Sequence, residues 1–202
     1  MDLFLSEKEK YDKLWATVPE YREVSPADFL TPLFLDYFGK EIKKGDGVID
    51  FGCGSGRSSY HLLKAGLSPH LIDFSDHCLD PYIYLLTLGE NPSVKFSKTS
   101  IYSLTSEIKP KEWIICFDVL EHIPEKMIKK SLKGIAERMV KGGVIGIALI
   151  EDSLGETIGE TLHLCVKPAN WWTKELSVFF QITQTILVEN KYVLFMLIPI
   201  GS

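Results

Sequence analysis

No apolar stretch in this chain is long enough to cross a bilayer. The longest run, Tyr192–Ile200, falls short of the ~20 residues a spanning helix needs and reads as a buried strand. The N-terminal segment MDLFLSEKEK lacks the basic flank and apolar centre of a secretory signal, so the cytoplasm is the expected compartment. Cysteine is scarce. The four present, Cys53, Cys78, Cys116 and Cys165, lie far apart with no C-x-x-C pair, which predicts buried thiols rather than a disulfide framework or a metal centre. Excess positive charge is missing too: the formal net charge is −5, which disfavours a phosphate-backbone partner. The one lysine-rich stretch, Lys126, Lys129, Lys130 and Lys133, falls on the polar side of an amphipathic helix and reads as its solvated face. There is no internal repeat, no low-complexity segment and no mark of a second domain, so the 202 residues are expected to share one sizeable core.

What is there is an alternation of strand and helix patterns. Helical spacing over 7–17 and 26–38 predicts an N-terminal helical cap within 1–40, the second helix opened by Ser25 as N-cap with Pro26 in its first turn. Strands are expected at 47–51, 69–73, 94–97, 113–117 and 144–150, with helices at 56–65, 77–88 and 125–140 between them. Gly142 and Gly143 are read as the stop of the last of these helices. Residues 151–180 form an insertion with one helix at 170–179, and two β-rich runs at 181–189 and 192–200, joined by Asn190 and Lys191, predict a closing hairpin. Such an order argues for an open α/β sheet with an antiparallel strand at its end. The apolar C-terminal strands leave association through an exposed edge open.

The stretch Val48–Ser59, reading VIDFGCGSGRSS, carries most of the chemistry. An apolar strand ends in an acid and passes through three alternate glycines into a helix start, leaving bare backbone where a ligand can approach. Asp73 closes the second strand, and FDVLEHIP follows the fourth at Phe117–Pro124. In an open α/β sheet these three strand ends share the ligand-bearing edge. Asp73 is placed to accept both hydroxyls of a ribose, and Phe74 offers an aromatic face to a purine, although taken alone it reads as core before it reads as an adenine platform. The dinucleotide fingerprint is G-x-G-x-x-G; here the third glycine comes one residue early and Arg57 holds the later position.

At these motifs the chain resembles the class I S-adenosylmethionine-dependent methyltransferases, in the branch related to ubiquinone-pathway and other small-molecule enzymes. The resemblance covers about residues 45–150. It implies a Rossmann-like seven-stranded sheet, mostly parallel with an antiparallel last strand and helices on both faces. It further implies S-adenosyl-L-methionine as cofactor. Asp50 with Gly52, Cys53, Gly54 and Gly56 would hold its methionine part, Asp73 its ribose, and Phe74 would pack on its adenine. Ser100 stands where the family offers an acid to the adenine amino group, with Ile101 as the apolar neighbour. Asp118 and Val119 would border the methionine end, and Arg22, beside Tyr21, would meet the cofactor carboxylate, a plain surface arginine being the equal alternative.

The reaction implied is an in-line displacement at a sulfonium methyl group, in which the protein aligns the partners and, for a hydroxyl acceptor, supplies a base. His163, His122 and Glu121 are the candidates. His163 is favoured, because it lies in the long insertion on the ligand-bearing edge; pinning the loop to the core, together with Trp171 and Trp172, is its other reading. His61, His70 and His77 show no ligand spacing, so no metal is expected. A DNA amino-methylase pattern of Asn/Asp-Pro-Pro-aromatic is absent after strand four, and Cys116 lies inside that strand rather than in a Pro-Cys nucleophile. The expected acceptor is therefore a small molecule, with a sugar or lipid-like metabolite among the options. A protein or RNA methyltransferase and a non-catalytic partner with the same fold are the alternatives; a nicotinamide oxidoreductase is disfavoured by the glycine spacing.

Overall fold

The computed structural model describes residues 3–19, 21, 25–90 and 92–201. Its elements run α1 (Leu3–Thr17), α2 (Ala27–Tyr37), β1 (Gly47–Phe51), α3 (Ser58–Lys64), β2 (Ser68–Asp73), α4 (Pro81–Leu86), β3 (Lys95–Lys98), β4 (Lys111–Phe117), α5 (Glu125–Ala136), β5 (Met139–Ala148), α6 (Ala169–Leu176), β6 (Phe180–Val188) and β7 (Tyr192–Pro199). Short 3₁₀ turns cover Asp76–Cys78, Leu120–His122 and Leu154–Ile158. All seven strands form one sheet in the order β3-β2-β1-β4-β5-β7-β6. Strands β1 to β5 are mutually parallel, and β7 runs antiparallel to both of its neighbours. The seven-stranded expectation, antiparallel last strand included, holds.

Alternation along β4 shows why the sheet carries helices on both faces. Ile114 and Cys116 join Ile128, Leu132 and Ile135 of α5 and Trp172 of α6 on one side. Trp113, Ile115 and Phe117 join Phe34 of α2 and Leu62 of α3 on the other. A strand buried on both faces has to be apolar at every position, and Trp113–Phe117 are. In α5 the buried Ile128, Leu132 and Ile135 recur at helical spacing, while Lys126, Lys129, Lys130 and Lys133 are exposed, as the sequence predicted. A third cluster, with Tyr11, Leu14 and Trp15 of α1 against Cys53, Leu71, Cys78 and Ile83, fixes the N-terminal helix across one end of the sheet. No helix among the described residues is long and apolar enough to cross a membrane.

Several local expectations are corrected. Gly142 and Gly143 do not end a helix but lie inside β5. A Cβ on Gly143 would sit 2.1 Å from the carbonyl oxygen of Ile114, and one on Gly142 2.8 Å from that of Leu197, so close strand packing explains both glycines. The preceding helix ends instead near Ala136, where the buried Arg138 guanidinium donates to the carbonyls of Gly134, Thr105 and Ile108. Ser25 provides no side-chain cap to α2, whose N-cap position is Pro26; the Ser25 carbonyl accepts from Asp28 N instead. The helix expected over 77–88 breaks into a 3₁₀ turn and α4, which opens at Asp80 with its carboxylate accepting from Tyr82 N at 2.9 Å. In the hairpin the left-handed residues are Glu189 and Asn190, closed by Lys191 N donating to Val188 O at 2.9 Å.

Candidate functional site

Strands β1 and β4 are neighbours although α3, β2, α4 and β3 separate them in the chain, so the sheet switches direction of growth between them. Their carboxyl ends and that of β2 open on one cavity of about 470 Å³. Asp50, Gly52, Cys53 and Gly54 reach it from the β1 end, Asp73 and Phe74 from β2, Ser100 and Ile101 from the segment after β3, and Asp118, Val119 and His122 from the segment after β4. The insertion contributes Asp152, Leu154 and His163. Most of the candidates named from sequence thus share one wall. Arg22 lies outside the described residues.

Gly56 does not face this space. A Cβ there would meet Ile83 Cγ2 at 2.8 Å and Leu71 Cδ1 at 2.9 Å, so its role is to let α4 pack against the loop. Gly52, at φ 69°, is required from the opposite direction: its Cβ would lie 2.4 Å from Val119 Cγ2, where the β4 segment crosses the loop. The loop amides are turned inward. Gly52 N and Cys53 N donate to Ile72 O, Gly54 N to Asp73 Oδ2, and Gly56 N to Cys53 O. A pyrophosphate cradle uses such amides as its donors, and here they are engaged within the fold.

Carboxylates define the electrostatics of the cavity. Asp50 accepts from the Ser58 hydroxyl, and burial pushes its carboxyl up to about 7 against that bond. Asp73 is raised to about 6 by burial, opposed by the amides of Ser75 and Gly54, which hold it at 3.0 and 3.1 Å. Asp118 takes a left-handed backbone, φ 52°, which turns it back over the strand ends. Its Oδ1, Oε2 of Glu121 and the Tyr192 hydroxyl are all buried without a hydrogen bond of good geometry. Burial raises both carboxyls of this pair, and the charge of Asp118 lifts Glu121 further.

Glu121 itself lies behind the cavity wall. Its Oε1 accepts from Ala148 N at 2.5 Å, and its carbonyl takes both Leu164 N and Cys165 N at 2.8 Å, so it ties the insertion to the end of β5. His122 does reach the cavity, but burial depresses its imidazole to about 3 and keeps it neutral. The Tyr11 hydroxyl sits 2.6 Å from His122 Nδ1. His163 stacks edge-on against His122 with ring centres 4.6 Å apart, and its Nδ1 lies 2.6 Å from the carbonyl of Ile150. A carbonyl can only accept, so Nδ1 carries a hydrogen, and in the neutral form of the ring Nε2 is the accepting nitrogen. Trp172, by contrast, is core. Tertiary folding also gathers side chains that sequence spacing separates: donor atoms of Glu121, His122 and His163 lie within 4.8 Å of one another, and so do those of Cys53, Asp73 and Cys78.

Sequence reasoning missed the contribution of α1. Glu7, Tyr11 and Trp15 line the cavity from one face of that helix, at the i, i+4, i+8 spacing that was available as a signal. The helix is tied down by Lys10 Nζ to Thr161 O at 3.1 Å, Lys13 Nζ to Ile158 O at 2.9 Å and the Ser75 hydroxyl to Asp12 Oδ1 at 2.5 Å. Tyr11 meets Phe74 edge-to-face at 5.3 Å. Tyr21 and Tyr102 complete the aromatic lining.

A family described as a methyltransferase domain matches residues 20–178. A ubiquinone biosynthesis O-methyltransferase of Coxiella burnetii is 26% identical over 129 residues, which is 63% of this chain and 54% of that protein. The chain thus spans about half the length of the curated relatives it matches. Among solved structures, the 1,6-didemethyltoxoflavin-N1-methyltransferase of Burkholderia thailandensis, with 1,6-didemethyltoxoflavin and S-adenosylhomocysteine bound, superposes with a TM-score of 0.66 at 16% identity, covering 97% of this chain and 85% of that one. The magnesium protoporphyrin IX methyltransferase of Synechocystis PCC 6803, with bound SAH, gives 0.68 at 17% identity, covering 96% and 94%.

Proposed function

Because the chain belongs to the methyltransferase-domain family, we propose that it transfers a methyl group from S-adenosyl-L-methionine to an oxygen or nitrogen of a small-molecule acceptor. The observation that carries this reading is the cavity wall at the three strand ends, where Asp50, Asp73 and Asp118 converge while the glycine-loop amides point into the fold. No lysine or arginine lines the cavity among the described residues. Such a wall suits a ligand with cationic centres and ribose hydroxyls rather than a pyrophosphate. The buried Asp118 carboxyl, held beside Tyr192 and Glu121, completes this acidic wall.

Bound there, the cofactor supplies an electrophilic methyl carbon and a neutral thioether leaving group. In this reading Asp73 accepts the ribose hydroxyls, its orientation set by Gly54 N and Ser75 N. Phe74, Ile101 and Ser100 border the adenine. Asp118, Val119 and the Gly52–Gly54 backbone border the methionine end, Asp50 supports that backbone through Ser58, and Arg22 stays the proposed partner of the carboxylate. His163 Nε2 takes the proton from the acceptor while Ile150 O holds its Nδ1 hydrogen. His122, kept neutral, orients Tyr11 and closes the wall. A cytoplasmic location belongs to the same reading.

Calorimetry with S-adenosylhomocysteine and with NAD tests the cofactor. The first is expected to bind and the second not, and Asp73→Ala is expected to weaken the first by about 1–3 kcal/mol. Binding of NAD alone would overturn the reading. Transfer of labelled methyl groups into a metabolite extract tests catalysis; cofactor binding without any transfer would make the chain a partner protein instead.

A further inference from the structure

Two thiols and a carboxylate meet at the wall of the same cavity. Cys53 follows the first glycine of the β1 loop and lines the cavity. Cys78 ends the 3₁₀ turn after β2 and is fully buried behind it. One donor atom from each, together with a carboxylate oxygen of Asp73, lies within 4.8 Å of the other two. Neither thiol is in a disulfide. Cys78 Sγ lies 2.7 Å from Ser75 O, Cys53 Sγ lies 3.7 Å from the carbonyl of its neighbour Gly54, and the two thiols also contact each other. Three donors separated by 20 and 5 positions in the chain (53, 73, 78) therefore converge only through folding.

Two thiolates and one carboxylate are a set that a borderline-soft cation of the zinc class accepts in tetrahedral geometry, with the fourth position left open. Donor atoms around such an ion lie ~3.5–4 Å apart, as follows from metal–ligand bonds of ~2.0–2.3 Å, within the separation found here. Cys53 and Asp73 face the cavity, which provides the entry path and the open position. Binding would form two metal–sulfur bonds and one metal–oxygen bond and send both thiol protons to solvent, leaving the metal's charge to offset two thiolates and Asp73.

We propose that Cys53, Cys78 and Asp73 form a binding site for a thiophilic divalent cation, and that this cation competes with the cofactor because both use Asp73. The proposed site departs from the expectation of no metal drawn from histidine spacing. Its competitive half rests on the ribose role proposed above for Asp73; the metal site does not.

The test is titration of the full chain, kept reduced, with Cd²⁺ and with Co²⁺, following the thiolate-to-metal charge-transfer absorbance. One equivalent is expected to produce the band. Cys78→Ser and, separately, Cys53→Ser are expected to abolish it, and Cys116→Ser to leave it in place. Cys78→Ser keeps a hydroxyl near Ser75 O, and its S-adenosylhomocysteine affinity serves as the check that it folds. S-adenosylhomocysteine at about ten times its dissociation constant is expected to weaken apparent metal affinity about tenfold. Absence of the band, or a band that survives in Cys78→Ser, overturns the site while leaving the cofactor reading intact. A band insensitive to S-adenosylhomocysteine upholds the site and removes Asp73 from the ribose role.

Discussion

The hydroxyl of Tyr11 lies 2.6 Å from Nδ1 of His122, across 111 residues of chain, and joins the N-terminal helix to the segment after the fourth strand. The same imidazole nitrogen is 3.2 Å from Leu162 O, so helix, strand end and insertion meet at one ring. Tyr11→Phe keeps the ring against Phe74 and deletes only the hydroxyl. A net hydrogen bond is worth about 1 kcal/mol, so S-adenosylhomocysteine affinity is expected to fall roughly fivefold through a looser α1, with the fold retained. Calorimetry reads this directly; affinity equal to that of the parent protein would detach the helix from ligand retention.

His163→Ala is expected to reduce turnover by about 10²–10⁴, the usual span for a positioned proton acceptor. Cofactor affinity should change less than about twofold, since the ring belongs to the acceptor side in the proposed arrangement. Steady-state kinetics beside calorimetry separates the two effects. Turnover that survives the substitution would assign the proton to another group.

Asp50 makes the fold pH-dependent. Burial lifts its carboxyl from 3.8 to about 7 in the folded chain, with the Ser58 bond opposing. Between these values the folded state holds a proton that the unfolded chain has lost, so this group's contribution to stability falls as pH rises through that window. Asp50→Asn keeps an oxygen for Ser58 and removes the titration. Its Tm is expected to exceed that of the parent at pH 8, by a margin that closes as pH approaches 4. Parallel Tm curves across that range would refute the assignment.

Gly52→Ala places a methyl group 2.4 Å from Val119 Cγ2 at a backbone of φ 69°. Overpacking and the left-handed backbone together are expected to destabilise the fold by about 2–4 kcal/mol in urea unfolding. Val119→Ala in the same chain clears the methyl contacts and is expected to recover part of that loss, leaving about 1–2 kcal/mol from the backbone. A double variant no more stable than Gly52→Ala alone would show that Val119 is not what demands the glycine.

The three motif segments were legible because each combines an apolar strand with a polar or glycine end, a local pattern that the sheet then aligns. Asp50, Asp73 and Asp118 accordingly fall on one edge from the strand pattern alone. Gly142 and Gly143 were misread because a glycine pair looks the same whether it ends a helix or lets two strands approach. Glu121 and His163 are both candidates in the chain, His163 the favoured one for its place in the insertion. One is locked onto Ala148 N behind the wall and the other faces the cavity, a distinction set by where tertiary packing aims each side chain. The aromatic face of α1 carried a signal, but helical spacing announces a buried face without naming what it covers.

Strand count, the parallel order and the chemistry at the strand tips follow from residues close together in the chain, since backbone preference and hydrophobic periodicity act over a few positions. Where His163 meets the cavity, how Tyr11 meets His122, and where two cysteines find Asp73 depend on contacts between segments far apart. Packing alone brings those atoms within reach, and it does so through the shape of the entire sheet rather than through any one stretch of chain.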